Sequence, residues 1–242
     1  MRDSVRRDRQ GIIGLTLAWL VCGLLGGYCL LQPAEAQDDT IIYKPPKRGA
    51  PDRREGAGTR GLRGNLPTLA VLAPKDHTGI TAQEQPVLYW YLSQETRHPV
   101  EVTLTDRQSI KPLLAIRLNP PLPPGMQRVR LADYNIHLAP GVWYKWSVAL
   151  VRDDAQRSYD VITAGTIERT ELPNELRRQL VQANKMTAAR LYAAKGLWYD
   201  AIAALSELID TRPQDTTLRQ QRTTMLEQEG LTEAAAYDWQ RK

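Results

Sequence analysis

Between Pro67 and Thr170 apolar and polar residues alternate with period two, in short runs separated by turn-forming residues. Leu69–Ala73 is an apolar run between Pro67 and Pro74, and Val87–Leu92 (Val-Leu-Tyr-Trp-Tyr-Leu) is rich in β-formers. Val100–Thr105 alternates strictly. Leu113–Leu118 and Met126–Leu131 lie on either side of a loop, Asn119–Gly125, that carries four prolines. Tyr144, Trp146, Val148 and Leu150 share one face of the next run. Asp153-Asp154 then marks a turn, and Tyr159–Glu168 completes the set. Seven short strands in roughly 100 residues predict an antiparallel β-sandwich, with Trp90 as a large aromatic of its core.

One stretch makes that prediction more specific. Leu138, Pro140, Gly141 and Tyr144 have the spacing of a tyrosine corner, in which a tyrosine near the start of a late strand bonds back to the preceding turn. The stretch resembles the fibronectin type III version, so the expected sandwich is immunoglobulin-like.

From Leu172 the period changes to 3.6. Leu172, Leu176 and Leu180 fall on one helical face, and Gly196 stops a second helix that carries Ala189 and Tyr192. Ala201, Ile202, Leu205, Leu208 and Ile209 form the apolar stripe of a third, halted by Pro213. Asp215 is placed to cap a fourth that runs to Gly230. Residues 185–214 look like one tetratricopeptide repeat, with Tyr192, Gly196, Trp198, Ala201 and Pro213 at its consensus offsets. One repeat cannot bury both of its faces, so the hairpin is expected to pack on the sandwich. The expected class is therefore α+β: a sandwich over 67–170 and a helical domain over 171–242 with one tetratricopeptide-like hairpin.

The N-terminal 36 residues have a different character. Arg2, Arg6, Arg7 and Arg9 precede an uncharged apolar run, Gly11–Leu31, and Ala34-Glu35-Ala36 is a small-x-small site. This is the pattern of a signal peptide cleaved after Ala36. The run is also long enough to span a bilayer, so an uncleaved anchor is the competing reading, and then the leader alone touches the membrane. Either way the remainder is exported, to the periplasm or cell envelope. Both cysteines, Cys22 and Cys29, belong to this segment.

Charge refines the picture of the next stretch. The chain's formal charge is +5, of which residues 37–66 contribute +3 from seven Lys/Arg against four Asp/Glu. Glycine and proline at that density disfavour regular structure, so the stretch is expected to be a solvated linker, with an anion-binding arm through Arg48, Arg53, Arg54 and Arg60, or an arm that lies on the domain and is ordered by it, as the alternatives. No aromatics stand between those arginines to stack on bases, which argues against nucleic acid.

Chemistry-bearing patterns are sparse. The histidines His77, His98 and His137 lie in expected loops without metal-ligand spacing, and no G-x-S-x-G, Walker or dinucleotide fingerprint occurs. The expected protein is not an enzyme and has no catalytic, cofactor-binding or metal-binding residues. Trp143, Tyr192, Trp198 and Tyr199 are the candidate interaction residues, since Tyr and Trp combine an apolar face with a polar tip. The expected partner is another envelope or exported protein, with a glycan as the alternative.

The order of motifs is itself informative. An exported leader, Gly49–Gly61 (Gly-Ala-Pro-Asp-Arg-Arg-Glu-Gly-Ala-Gly-Thr-Arg-Gly), Leu88-Tyr89-Trp90-Tyr91, Gly165-Thr166-Ile167-Glu168-Arg169 and Ala193–Ala201 follow one another. Together they resemble the cyanobacterial family known as domain of unknown function 928. The resemblance implies a secreted or envelope location and no activity.

Overall fold

The computed structural model describes residues 40–46, 54–56, 66–106 and 111–240. The leader read from 1–36 lies outside them. Among the described residues, eight strands form two sheets. The smaller has the order β1 (Leu69–Val71), β3 (Val87–Leu92), β6 (Gly125–Arg130). The larger has the order β2 (Gly79–Thr81), β8 (Val161–Arg169), β7 (Trp143–Leu150), β4 (Val100–Asp106), β5 (Leu114–Leu118). All pairings are antiparallel except β2 with β8, which run parallel with Ile80 opposite Glu168.

Alternation does what the sequence requires of it in β4 and β7. Val100, Val102 and Leu104 of β4, and Tyr144, Trp146, Val148 and Leu150 of β7, are buried on one face, with Val102 opposite Val148 and Leu104 opposite Trp146. In β3 alternation gives way to continuous burial from Leu88 to Leu92. The reason is a third layer. Helices cover the outward face of the smaller sheet, and Tyr91 there meets Tyr237 at a ring-centroid distance of 5.5 Å. A strand buried on both faces reads as an unbroken apolar run.

Strand β2 is the one that sequence alternation does not reveal. Gly79-Ile80-Thr81 is too short to show a period, so seven strands are expected and eight are found among the described residues. Gly79 is also a point of close approach between helix and sheet, because a Cβ there would lie 2.5 Å from a ring carbon of Tyr199.

Five helices follow: α1 (Asn174–Gln182), α2 (Lys185–Ala194), α3 (Trp198–Thr211), α4 (Thr216–Gln228) and α5 (Thr232–Gln240). Their ends obey local chemistry. Asn184 caps α2 by accepting from the Thr187 N–H at 2.9 Å, and Asp215 caps α4 through the N–H groups of Thr217 and Leu218. Gly196 ends α2 with φ +75°, a left-handed conformation that glycine adopts without penalty. Helix α5 extends the array beyond the four expected helices, so the α2–α3 hairpin is followed by a second pair, α4–α5.

Sandwich and helices share one apolar core, and from Thr40 onward the chain is one compact unit. The segments 67–170 and 171–242 are thus continuous through their interiors. The Trp198 indole N–H donates to the Leu72 carbonyl at 2.9 Å. The Tyr199 hydroxyl donates to the Thr166 carbonyl at 2.8 Å and accepts from the Trp146 indole at 2.9 Å. Burial raises the Tyr199 hydroxyl's pKa well above its ordinary value, so the group stays neutral.

The turn before β7 is pinned from two directions. The Tyr144 hydroxyl accepts from the Ala139 N–H at 2.9 Å. Arg169 donates to the Leu138 carbonyl at 2.8 Å, and Gly141, at φ +72°, donates its N–H to the Arg169 carbonyl. Leu138 beneath the turn is buried. Tyr144→Phe leaves the Ala139 N–H without its acceptor, and we expect a loss of about 1–2 kcal/mol in urea denaturation. An unchanged midpoint would mean that the bond contributes nothing.

Candidate functional site

Residues 37–66 are expected first to be a solvated linker, and the described parts of that stretch follow the alternative of an arm that lies on the domain: they are docked. Ile41 and Tyr43 are buried, while Ile42 between them is 53% exposed. Side chains 41–44 alternate buried, exposed, buried, exposed, the pattern of an extended backbone, but the N–H groups at 41, 43 and 44 pair with no strand. Gln221 Oε1 accepts from the Ile41 N–H at 2.6 Å and Gln228 Oε1 from the Tyr43 N–H at 3.0 Å. The two glutamines are seven residues apart on α4, two turns, and so share one face. The Lys44 N–H donates to the Ala193 carbonyl at 3.0 Å, one of the last carbonyls of α2.

The Tyr43 ring is held on several sides. Its edge meets Trp198 at a centroid distance of 4.9 Å, and it stacks on His77 at 5.7 Å. Its hydroxyl shares a hydrogen bond with His77 Nε2 at 2.8 Å. Burial raises the pKa of the Tyr43 hydroxyl, helped by the Glu229 carboxylate, and burial lowers that of the His77 imidazole. Gly196 supplies the remaining space: a Cβ there would lie 2.9 Å from the Lys44 carbonyl oxygen and 3.1 Å from a Pro46 ring carbon.

A second docked piece, residues 54–56, continues the β2 edge of the larger sheet. Glu55 pairs with Ala164, and the Arg54 guanidinium donates to the carbonyls of Ala73 and Glu229 at 2.8 and 3.1 Å. Arg54, read from sequence as part of a basic arm, is a clamp on carbonyl oxygens. Arg48, Arg53 and Arg60 lie outside the described residues.

Opposite the Tyr199 ring, a cavity of about 340 Å³ opens between the β2–β3 connection and helices α2 and α3. Gln83, Gln85, Tyr192 and Asp200 line it, together with the ion pair Lys185–Glu207 at 2.9 Å. Asp200, in the first turn of α3, accepts the Ala82 N–H on Oδ2 at 3.0 Å. Burial pushes its carboxyl up to about 6, with the Ala82 N–H and the nearby side chains of Thr81 and Gln83 pulling the other way.

That shift fixes a pH dependence. The carboxyl titrates near 4 in the unfolded chain. Between pH 4 and 6 the folded chain therefore keeps a proton that the unfolded chain has lost, and stability falls as pH rises through this window. The full cost above pH 6 is roughly 3 kcal/mol. Asp200→Asn removes the titration and keeps an acceptor for Ala82. Relative to the parent, we expect the variant to gain roughly 2–3 kcal/mol in urea denaturation between pH 4 and pH 8. A variant that tracks the parent at every pH would contradict this.

The four aromatic residues singled out from sequence separate into two groups. Trp198 and Tyr199 are buried, so they are core residues that join helix to sheet and not a contact surface. Both lie in the first turn of α3, whose N-terminus enters the core beside β1 and β2. Trp143 and Tyr192 are partly exposed. Of the histidines, His77 belongs to the Tyr43 site, while His137 pairs with Glu84 at 2.9 Å on the surface. The glutamines Gln221 and Gln228 escape sequence reading, since nothing marks a glutamine on a polar helix face as a ligand to another segment. Among the described residues, no helix is long and apolar enough to cross a membrane.

A two-sheet sandwich backed by helical hairpins, with its own N-terminal segment held along them, is the class of protein this chain represents. A family model described as Domain of Unknown Function (DUF928) matches residues 55–238, and the chain belongs to that family. No curated protein matches it.

Proposed function

We propose that this chain is a non-catalytic, exported interaction module of the cell envelope that binds another protein. The grip on Ile41–Tyr43 carries the reading. Helix side chains hold the main-chain N–H groups of an extended segment, which is a way of binding polypeptide and not of transforming a small molecule. Polar groups in the interior serve the fold: Asp200 holds Ala82, Tyr199 joins Thr166 to Trp146, and Arg222 pairs with Asp238. Export rests on the basic, apolar and small-x-small succession of residues 1–36, with cleavage after Ala36. In its finer form the sandwich is immunoglobulin-like. The order β1-β3-β6 against β2-β8-β7-β4-β5 and the Tyr144–Ala139 bond support that reading.

Photo-crosslinking in envelope fractions tests the function. A photoreactive residue at Ile42, beside the helices, should yield a discrete adduct with an envelope protein. One at Ile162, comparably exposed on the sheet at 47% against 53%, should not. No adduct from either site, or equal adducts from both, would overturn the proposal.

A second reading is favoured by one observation, the cavity at Asp200. Two amides, a buried carboxylate and the Tyr192 ring are groups that bind sugar hydroxyls and the apolar face of a sugar ring. Saturation-transfer NMR with envelope glycan fragments should then show contacts that Gln83→Ala weakens. Absence of transfer for every fragment would remove this reading.

A further inference from the structure

The Thr40–Pro46 segment has the features of a bound peptide. Its backbone is read by glutamine side chains and a helix-terminal carbonyl, which is a grip indifferent to sequence. Specificity comes from alternate side chains. Ile41 and Tyr43 enter the fold, Ile42 points out, and Pro45-Pro46 favour an extended backbone. The receiving surface is shaped for a chain and not for a side chain alone, because Gly196 leaves room for the backbone at Lys44 and Pro46.

We infer that the face built by α2 and α4 is a recognition groove for an extended polypeptide of the form apolar-x-tyrosine, which residues Thr40–Pro46 occupy in cis and an incoming segment of the same form displaces. The inference rests on the interaction-module reading and names the partner's chemistry. Main-chain N–H groups two residues apart meet Gln221 and Gln228, the apolar side chain enters beside α4, and the tyrosine meets Trp198 and His77. A tethered occupant has an effective concentration of roughly millimolar or more. A free segment therefore binds the intact chain far more weakly than it binds the vacated groove.

The experiment uses the full chain carrying Ile41→Ser and Tyr43→Ser, which empties the groove without truncation. The probe is a fluorescein-labelled peptide of residues 38–48, followed by anisotropy. We expect it to bind the folded variant at least ~20-fold more tightly than the parent, whose groove is occupied. Adding Gln221→Ala and Gln228→Ala should weaken binding about tenfold or more. A peptide with both serine replacements should not bind. Equal binding of that altered peptide, or no binding to a folded variant at millimolar protein, overturns the groove.

Amide hydrogen exchange on the unaltered chain keeps the inference testable should the variant not fold. The amides of Ile41, Tyr43 and Lys44 should exchange at least ~100-fold faster than those of β4 and β7, showing that the segment leaves while the fold stays. Exchange at the same rate as the core strands would make the segment an integral part of the fold and overturn displacement. A failed peptide experiment leaves the adduct from Ile42 intact, and a missing adduct leaves peptide binding intact, so the two proposals fail separately.

Discussion

Asp238→Ala should cost about 3–5 kcal/mol and detach α5 from the rest of the array. Arg222 and Asp238 form a two-pronged pair, Nε to Oδ2 and Nη2 to Oδ1, each at 2.6 Å. The third prong, Nη1, reaches Ser206 Oγ at 2.8 Å. The three residues stand on α4, α5 and α3, so one guanidinium staples three helices. Both charged groups are buried, with side-chain exposures of 5% and 0%. Removal of the carboxylate leaves a cation in a dry site with a single neutral partner, and that residual charge is the source of the loss. The measurement is urea denaturation together with exchange of the α5 amides, which should lose protection before the sheets do. The double replacement Arg222→Met/Asp238→Leu tests the physical reason. It removes both charges, so it should recover most of the loss. A double variant as unstable as the single one would show that the pair contributes more than mutual compensation.

Trp198→Ala is expected to be comparably severe, about 3–5 kcal/mol. Its indole is fully buried, bonds the Leu72 carbonyl and packs against Tyr43. The substitution opens a cavity where sandwich, helices and N-terminal segment converge. It also leaves a buried carbonyl without its donor. Because one core serves sandwich and helices, helical circular dichroism and the fluorescence of the remaining tryptophans should report the same transition at a lower midpoint. Two separate transitions would mean that the helices form an independent domain.

The strands with strict alternation, β4 and β7, were legible because one face is buried and the other is not. Helix ends were legible through Gly196, Asp215 and Pro213, whose local chemistry is independent of tertiary context. Three features were not. Gly79-Ile80-Thr81 forms a strand only because β8 offers an edge, and no local pattern records that. Helix α5, Thr-Glu-Ala-Ala-Ala-Tyr-Asp-Trp-Gln, has too few large apolar residues for a clear stripe, yet Ala234 and Ala235 are buried by close packing. The N-terminal segment was obscured by its neighbours. Ile41-Ile42-Tyr43 is an apolar island, and the Gly/Pro density that follows made the whole of 37–66 read as tether. A similar limit applies to Trp198 and Tyr199. A repeat consensus marks which aromatics matter without saying whether they face solvent or core.

The docking of Thr40 and its neighbours also bears on removal of the leader. Cleavage after Ala36 would leave a new cationic amino group at Gln37, a few residues before the Ile41 N–H that Gln221 accepts. The processed chain would then differ from its precursor in charge at the start of the docked segment, while the hydrogen bonds of Ile41, Tyr43 and Lys44 stay as they are.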